Sequence, residues 1–373
     1  MATPRLRFKE YQDEWSEKRF SSIASFSKGS LLSKGDLSED GTPCILYGEL
    51  YTKYGEVIDN VKSKTSVNAD LLTYGKSNDV LIPSSGETAL DIATASCLQI
   101  DDVALGGDLN IITPHYDSGI FISYQLNNVK RKSIAKVAQG ASVVHLYNEA
   151  LKKLRLHMPS IPEQKKIAKT ISLLDRKIAL QRQKIKLLND YKMGVFDAIF
   201  GDEYTDDWER VTVSDMLEYE RPDKYIVENT NYLSEGTPVL TANKGFILGY
   251  TNEQTGIYEK ANCIIFDDFT LDFKYVNFPF KVKSSAMKIL TTKNGYSLRI
   301  CSAILERMEL APESHARHWI SVVQPMSVTY PPKAKTKCIE NILFSFDRIA
   351  NIAKAKEENL LKLKSSLLQQ MFV

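Results

Sequence analysis

Few residues in this 373-residue chain stand at spacings that support bond-making chemistry. Pro222-Asp223 and Asp272-Phe273-Lys274 have the composition of a metal-dependent nuclease signature, in which two carboxylates hold a divalent ion beside a lysine. The gap between them is long and no third acid completes the set, so they read as a turn aspartate and a strand lysine. His115, His145, His157, His315 and His318 show no His-Glu-x-x-His spacing, and the close pair His315 and His318 lacks a carboxylate or cysteine partner. Adenine methylation needs an Asn/Asp-Pro-Pro-Tyr/Phe turn. The only adjacent prolines, Pro331-Pro332, lie between Tyr330 and Lys333, without the amide or carboxylate. No G-x-x-x-x-G-K-[ST] phosphate loop is present, and Gly106-Gly107 reads as a turn. What remains is hydrogen-bonding and charged side chains on loops, the chemistry of recognition.

Two long amphipathic stretches must position those loops. From Pro159 to Phe200, apolar residues fall at Ile167, Ile171, Leu174, Ile178, Ile185, Leu188, Val195 and Ile199. Steps of three and four put one narrow stripe on one helix face. A stripe this thin suits a coiled-coil seam on a helix roughly 55 Å long. The last segment repeats it at Ile339, Leu343, Phe346, Ala350, Ala353, Leu360, Leu367 and Met371. Asp175-Arg176 recurs as Asp347-Arg348 and Phe200 as Phe372, a constant offset of 172 residues. Prolines open both segments, Pro159 and Pro162 in one, Pro331 and Pro332 in the other, as suits a linker and a first helical turn.

The intervening regions repeat more weakly. The first has β-like runs at 44–51, 79–85 and 109–114, then helical stretches over 119–127 and 148–154. In the second, GTPVLTANKG (236–245) echoes GTPCILYGEL (41–50), CIIFDDFT (263–270) takes the place of DVLIPSSGET, and 296–307 echoes the first helical stretch. Trp208 stands to its helix as Trp15 stands to the chain start. Diverged units on a retained scaffold suit the recognition of two different targets.

Composition fits a globular chain, with 43% hydrophobic and 25% charged residues, and no run is long and apolar enough to cross a membrane. MATPRLRFKEYQDEW has no apolar core of the secretory kind. Five scattered cysteines without a Cys-x-x-Cys pairing point to reduced thiols in a cytoplasm. Net charge is only +2, unevenly spread: residues 163–200 hold nine Lys/Arg against four Asp/Glu, and 333–373 hold eight against four. The remainder is net acidic, so nucleic-acid binding by the globular parts would need local patches.

The runs QGASVVHLYNEALKKLRLHMPSIPEQKKIAKTISLLDRKI, DDFTLDFKYVNFPFKVKSSAMKIL and HARHWISVV carry a resemblance over essentially the whole chain. The sequence resembles the specificity subunits of type I restriction-modification systems. The resemblance implies an α+β fold: two globular α/β target-recognition domains (1–158 and 202–330), joined by two long helices (159–201 and 331–373) in an antiparallel coiled coil, a pseudo-two-fold tandem repeat. It implies a non-catalytic chain that binds a bipartite duplex DNA site and docks two modification (methyltransferase) subunits, with restriction subunits added, in a bacterial or archaeal cytoplasm. S-adenosylmethionine, Mg²⁺ and ATP would belong to those partners, with no cofactor or metal in this chain and no membrane partner. One departure stands out: the second helix has Pro332-Lys333-Ala334 where the first has Pro162-Glu163-Gln164, so docking there is expected to differ in detail. The alternative is a coiled-coil protein-interaction scaffold without DNA recognition.

Base edges are read by polar and charged side chains on rigid loops, and phosphates by Lys, Arg and hydroxyl donors. In the first unit the candidates are Tyr47, Glu49, Tyr51, Thr52, Lys53 and Tyr54, then Ser84, Ser85, Glu87 and Thr88 around Gly86. Equivalent loops in the second hold Thr241, Asn243 and Lys244, then Asp267, Asp268 and Thr270, then Lys274 and Tyr275. Lys130-Arg131-Lys132 reads as a solvated loop.

Overall fold

The computed structural model describes the chain apart from residues 1–2, 31, 141–142, 202–206, 244, 261, 294 and 313–315. Packing divides it into two units, Met1–Arg182 with Lys356–Val373, and Gln183–Ala355. The four segments expected from the sequence therefore group as two. The long helices, Ile161–Phe200 and Lys333–Met371, are each shared between them.

In the first unit a five-stranded sheet runs in the order Ala24–Lys28, Leu109–Pro114, Val80–Pro83, Ser96–Leu98, Val57–Ile58. In the second unit a four-stranded antiparallel sheet runs Leu217–Glu220, Met287–Thr292, Cys263–Asp267, Phe273–Val276. The first four strands match in both chain order and pairing order. A smaller sheet repeats as well: Thr42–Ile45 pairs antiparallel with Ser63–Thr65 and parallel with Val103–Leu105, as Thr237–Leu240 does with Ile247–Thr251 and Lys281–Val282. The turn into these strands explains the repeated Gly-Thr-Pro. Gly41 and Gly236 have φ of 123° and 125°, and a Cβ at either would sit 2.2 Å from the Thr65 carbonyl or 2.7 Å from that of Thr251.

Each unit hands its chain to a helix through a two-stranded ribbon, Ser16–Arg19 with Arg155–Met158 and Glu209–Thr212 with Ser327–Tyr330. Prolines follow at once, and Pro162 occupies the first helical turn of Ile161–Phe200, where a missing N–H costs nothing. The stretch 44–51 is only half strand. Glu49–Thr52 is a helical turn, closed by the Glu49 carboxylate accepting from Leu46 N at 2.9 Å. Lys130-Arg131-Lys132 opens a helix, Arg131–Val137, where a loop was expected.

Only part of the expected seam joins helix to helix. In the first unit Leu174, Ile178 and Leu360 are buried together with half-buried Leu367 against them. The pairs Arg182–Glu357 (2.7 Å) and Asp175–Lys364 (2.7 Å) rise in one helix as they fall in the other, so the two run antiparallel there. Ile167 and Ile171 instead sink into the globular core with Trp15, Phe20, Phe121, Met371 and Phe372. Ile339 and Leu343 do the same in the second unit, with Phe196, Phe200 and Trp319. Ile185, Leu188 and Phe346 are half-buried, and Phe346 meets Tyr191 edge-on at 5.7 Å. A thin stripe is thus no sign that a helix stays out of a core: at its ends it packs with aromatic side chains of the globular part, Trp15, Phe20 and Phe121 in the first unit and Trp319 in the second.

Four cysteines are buried, and burial pushes the thiols of Cys97, Cys263 and Cys301 up to about 12 and that of Cys44 to about 11. No helix among the described residues is long and apolar enough to cross a membrane. Phe372 is buried and stacks on Phe121 at 5.2 Å. Phe372→Ala should lower unfolding free energy by about 3 kcal/mol, read from denaturant midpoints. An unchanged midpoint would show that the chain end does not belong to that core. Native protein at neutral pH should release close to one thiol equivalent to Ellman's reagent, from exposed Cys338, and all five after denaturation.

Candidate nucleic-acid interface

A groove of about 1290 Å³ lies in the first unit between the globular part and the helices. Tyr51, Thr52, Lys53 and Tyr54 line it, so four of the sequence candidates converge on one site. Glu49 holds their turn in place. It is buried, and its carboxylate accepts from Leu46 N, from Ser63 Oγ (2.5 Å) and from Lys53 Nζ (2.5 Å). Glu49 therefore positions the loop and has no free oxygen to offer a base, contrary to expectation. Tyr47 and Tyr54 are half-buried against the core, and the Tyr54 hydroxyl accepts from Lys62 N at 3.0 Å. Tyr51 is half-buried, while Thr52 and Lys53 are exposed. Tyr116, which sequence reasoning passed over, also lines the groove and is 85% exposed.

Ser84, Ser85, Glu87 and Thr88 do not line this groove. Ser84 is buried, its N–H donating to Asp108 O at 2.7 Å. Ser85 Oγ lies 3.2 Å from both Asp108 Oδ1 and His145 Nδ1. Thr88 caps the turn Ala89–Ile92, accepting from Asp91 N and donating to Asp91 Oδ2. Glu87 is exposed.

In the second unit Thr270 Oγ1 lies 3.1 Å from Asn243 Oδ1 and 3.0 Å from Asp272 Oδ2, joining two candidate loops. Asp267 is buried and accepts from Phe269 N and Thr270 N, so it shapes the turn. Asp268 is buried too, accepting from Trp319 N at 2.8 Å and pairing with buried Lys288 at 3.3 Å. Neither acid is presented for reading, which corrects the expectation. The Thr241 N–H donates to Phe246 O. Lys274 is exposed and, with Tyr275, lines a cleft of about 410 Å³. Tyr275 is half-buried under the Arg299 guanidinium at 5.0 Å, and burial raises its pKa. Lys244 and His315 lie outside the described residues.

A charged clasp fixes the first globular part to its helices. Lys364 reaches both Glu56 oxygens at 3.0 Å and Asp175 at 2.7 Å, and the Tyr124 hydroxyl donates to Asp175 at 2.6 Å. Burial opposes the Lys364 charge, but the two carboxylates raise its pKa overall. Burial, and then Asp175, drive the Tyr124 hydroxyl far above its usual range. The 172-residue offset carries Lys364 onto Lys192 and Asp175 onto Asp347. In the second unit Lys192 pairs with Glu306 at 2.7 Å and Asp347 with Arg299. The repeated Asp-Arg dipeptide signalled this; its partners, from distant segments, gave no signal.

Glu163 and Gln164, carried by the motif absent from the second helix, both point inward. Arg7 grips Glu163 with two hydrogen bonds of 2.7 and 2.8 Å, and Gln164 donates to Asp117 Oδ1 at 2.7 Å and accepts from Ser118 N. Both are fully buried, so these two side chains seat the helix.

Residues 12–190 match the type I restriction modification DNA specificity domain. Over 130 residues the chain is 45% identical to the type I restriction enzyme EcoR124I/EcoR124II specificity subunit of Escherichia coli, covering 33% of this chain and 32% of that one. Over 297 residues it is 24% identical to the putative type I restriction enzyme MjaX specificity subunit of Methanocaldococcus jannaschii, covering 69% and 67%. The match thus spans about a third of the length of the first relative. The fold is like that of the S subunit from M. genitalium, with TM-score 0.68 and 15% identity over 100% of this chain and 99% of that one. A chain solved in work on complex assembly and conformational transition of the type I R-M system gives TM-score 0.54 and 12% identity, over 97% and 98%. At these identities the structural likeness is one of fold. The fold is one of duplicated mixed sheets, each packed on its own parts of the two long helices. Residues 12–190 belong to the type I restriction modification DNA specificity domain family, and the relatives and fold neighbours that the chain matches are type I specificity subunits.

Replacing Lys364 with Met should destabilise the first unit by about 2 kcal/mol, because Glu56 and Asp175 are left facing each other half-buried. Since the folded pKa of Lys364 is raised, the lysine's charge contributes fully below its ordinary value of 10.5, and that contribution is lost as pH rises through the higher folded value. Unfolding midpoints of wild type and variant should therefore stay apart through neutral pH and converge in strong alkali.

Proposed function

We propose that this chain is the DNA-reading subunit of a type I restriction-modification complex, binding a bipartite duplex site with one half-site for each globular unit. The observation that carries this is the duplicated sheet order with unlike loops: Tyr51, Thr52, Lys53 and Tyr54 at a groove in one unit, Asn243, Thr270 and Lys274 in the other. Shared scaffold with different polar loops is what an asymmetric split site requires. The chain holds two modification subunits and, through the assembly, restriction subunits. S-adenosylmethionine, Mg²⁺ and ATP act in those partners, and this chain contributes recognition without catalysis.

Methylation mapping in a host carrying the system tests the reading. Replacing residues 1–158 with those of a relative should change one half-site and leave the other unaltered. If both half-sites change, the units do not read independently. A gel shift with pooled duplexes in the presence of the modification subunit separates this function from a protein scaffold, which would retard no sequence preferentially.

A further inference from the structure

The groove of the first unit has a second wall that the sequence candidates do not explain. Lys165, Lys169 and Arg176 line it from the first long helix. At about 100° per residue they fall within roughly 40° of one another on one helix face, spread over about 16 Å of axis. No ion pair or hydrogen bond engages these three side chains among the described residues, whereas their neighbours are taken: Lys166 by Glu10, Arg182 by Glu357, Lys364 by Glu56 and Asp175. Most groove acids are also occupied, Glu56 and Asp175 on Lys364 and Asp117 on Gln164, leaving exposed Asp59. The wall is therefore cationic, and exposed Thr52 and Tyr116 line the same groove. The repeat keeps two of the three cations, with Lys337 and Arg348 exposed at the 172-residue offset and Asn341 in place of Lys169.

We propose that Lys165, Lys169 and Arg176 hold backbone phosphates of the duplex, so that the helix is itself a DNA-contacting surface beside the reading loops. This rests on the DNA-reading function above. A span of about 16 Å matches roughly five base-pair steps at 3.4 Å each, enough for three separate phosphates. Such contacts add affinity without sequence information.

The test uses the complete complex with its modification subunits and a variant carrying Lys165→Gln, Lys169→Gln and Arg176→Gln. Dissociation constants are measured for a cognate and a scrambled duplex across a salt series. Each lost phosphate contact removes about 0.9 from the slope of log affinity against log salt, so the slope should shrink by between two and three. Both duplexes should weaken by the same factor, leaving their ratio as in wild type. Each single variant should lower the slope by about one, and Lys→Arg exchanges at 165 and 169 should preserve it, which keeps the test decisive if the triple variant folds poorly. An unaltered slope overturns the proposal. So does loss of modification subunits from the variant complex, which would make this face a protein-docking surface. A wild-type complex blind to the difference between the duplexes overturns the DNA-reading function, whereas a discriminating complex with an unaltered variant slope overturns this inference alone.

Discussion

Burial of helix ends inside the globular cores is the constraint on which the other features rest. Ile167 and Ile171 near the start of one helix, with Met371 and Phe372 at the end of the other, fill the first core beside Trp15 and Phe121. Phe196 and Phe200 with Ile339 and Leu343 fill the second beside Trp319. Each such aromatic or aliphatic side chain contributes on the order of 2 kcal/mol when fully buried. Neither sheet can close its core alone, so the orientation of the loops on each unit is set by the helices.

Polar groups refine that attachment. Glu163 and Gln164 seat the first helix through Arg7, Asp117 and Ser118. Lys364 with Glu56 and Asp175, and Lys192 with Glu306, clasp the helices further along. Partly buried ion pairs add little net stability compared with apolar packing, but they penalise any arrangement that leaves one charge unpaired. Lys364 and Asp175 recur at the 172-residue offset as Lys192 and Asp347, which take different partners in the second unit, so each unit is clasped to its helices by its own set of charges.

Divergence is concentrated where this scaffold releases the chain. The first unit's smaller sheet carries additional edge strands, Leu37–Ser38 and Tyr74–Gly75. The groove beside Tyr51–Tyr54 has a volume about three times that of the cleft beside Lys274 and Tyr275. Different loop lengths on one strand order let two surfaces differ without disturbing the attachment that holds both.

The two helices, their apolar period, the duplication and the Gly-Thr-Pro turns were legible in the sequence, because each depends on residues close together in the chain or on a constant offset. The strand over 109–114 and the helix over 119–127 were legible for the same reason. Which polar residues face outward was not. Glu49, Ser84, Asp267 and Asp268 looked as available as Thr52 or Lys274, but folding places hydrogen-bond donors around them and removes them from water. The clasp was invisible because Lys364 and Glu56 stand 308 residues apart. A cation's role is set by the acids that tertiary structure brings within reach, so only the fold separated the paired Lys364 from Lys165, Lys169 and Arg176, which have no ion-pair partner among the described residues.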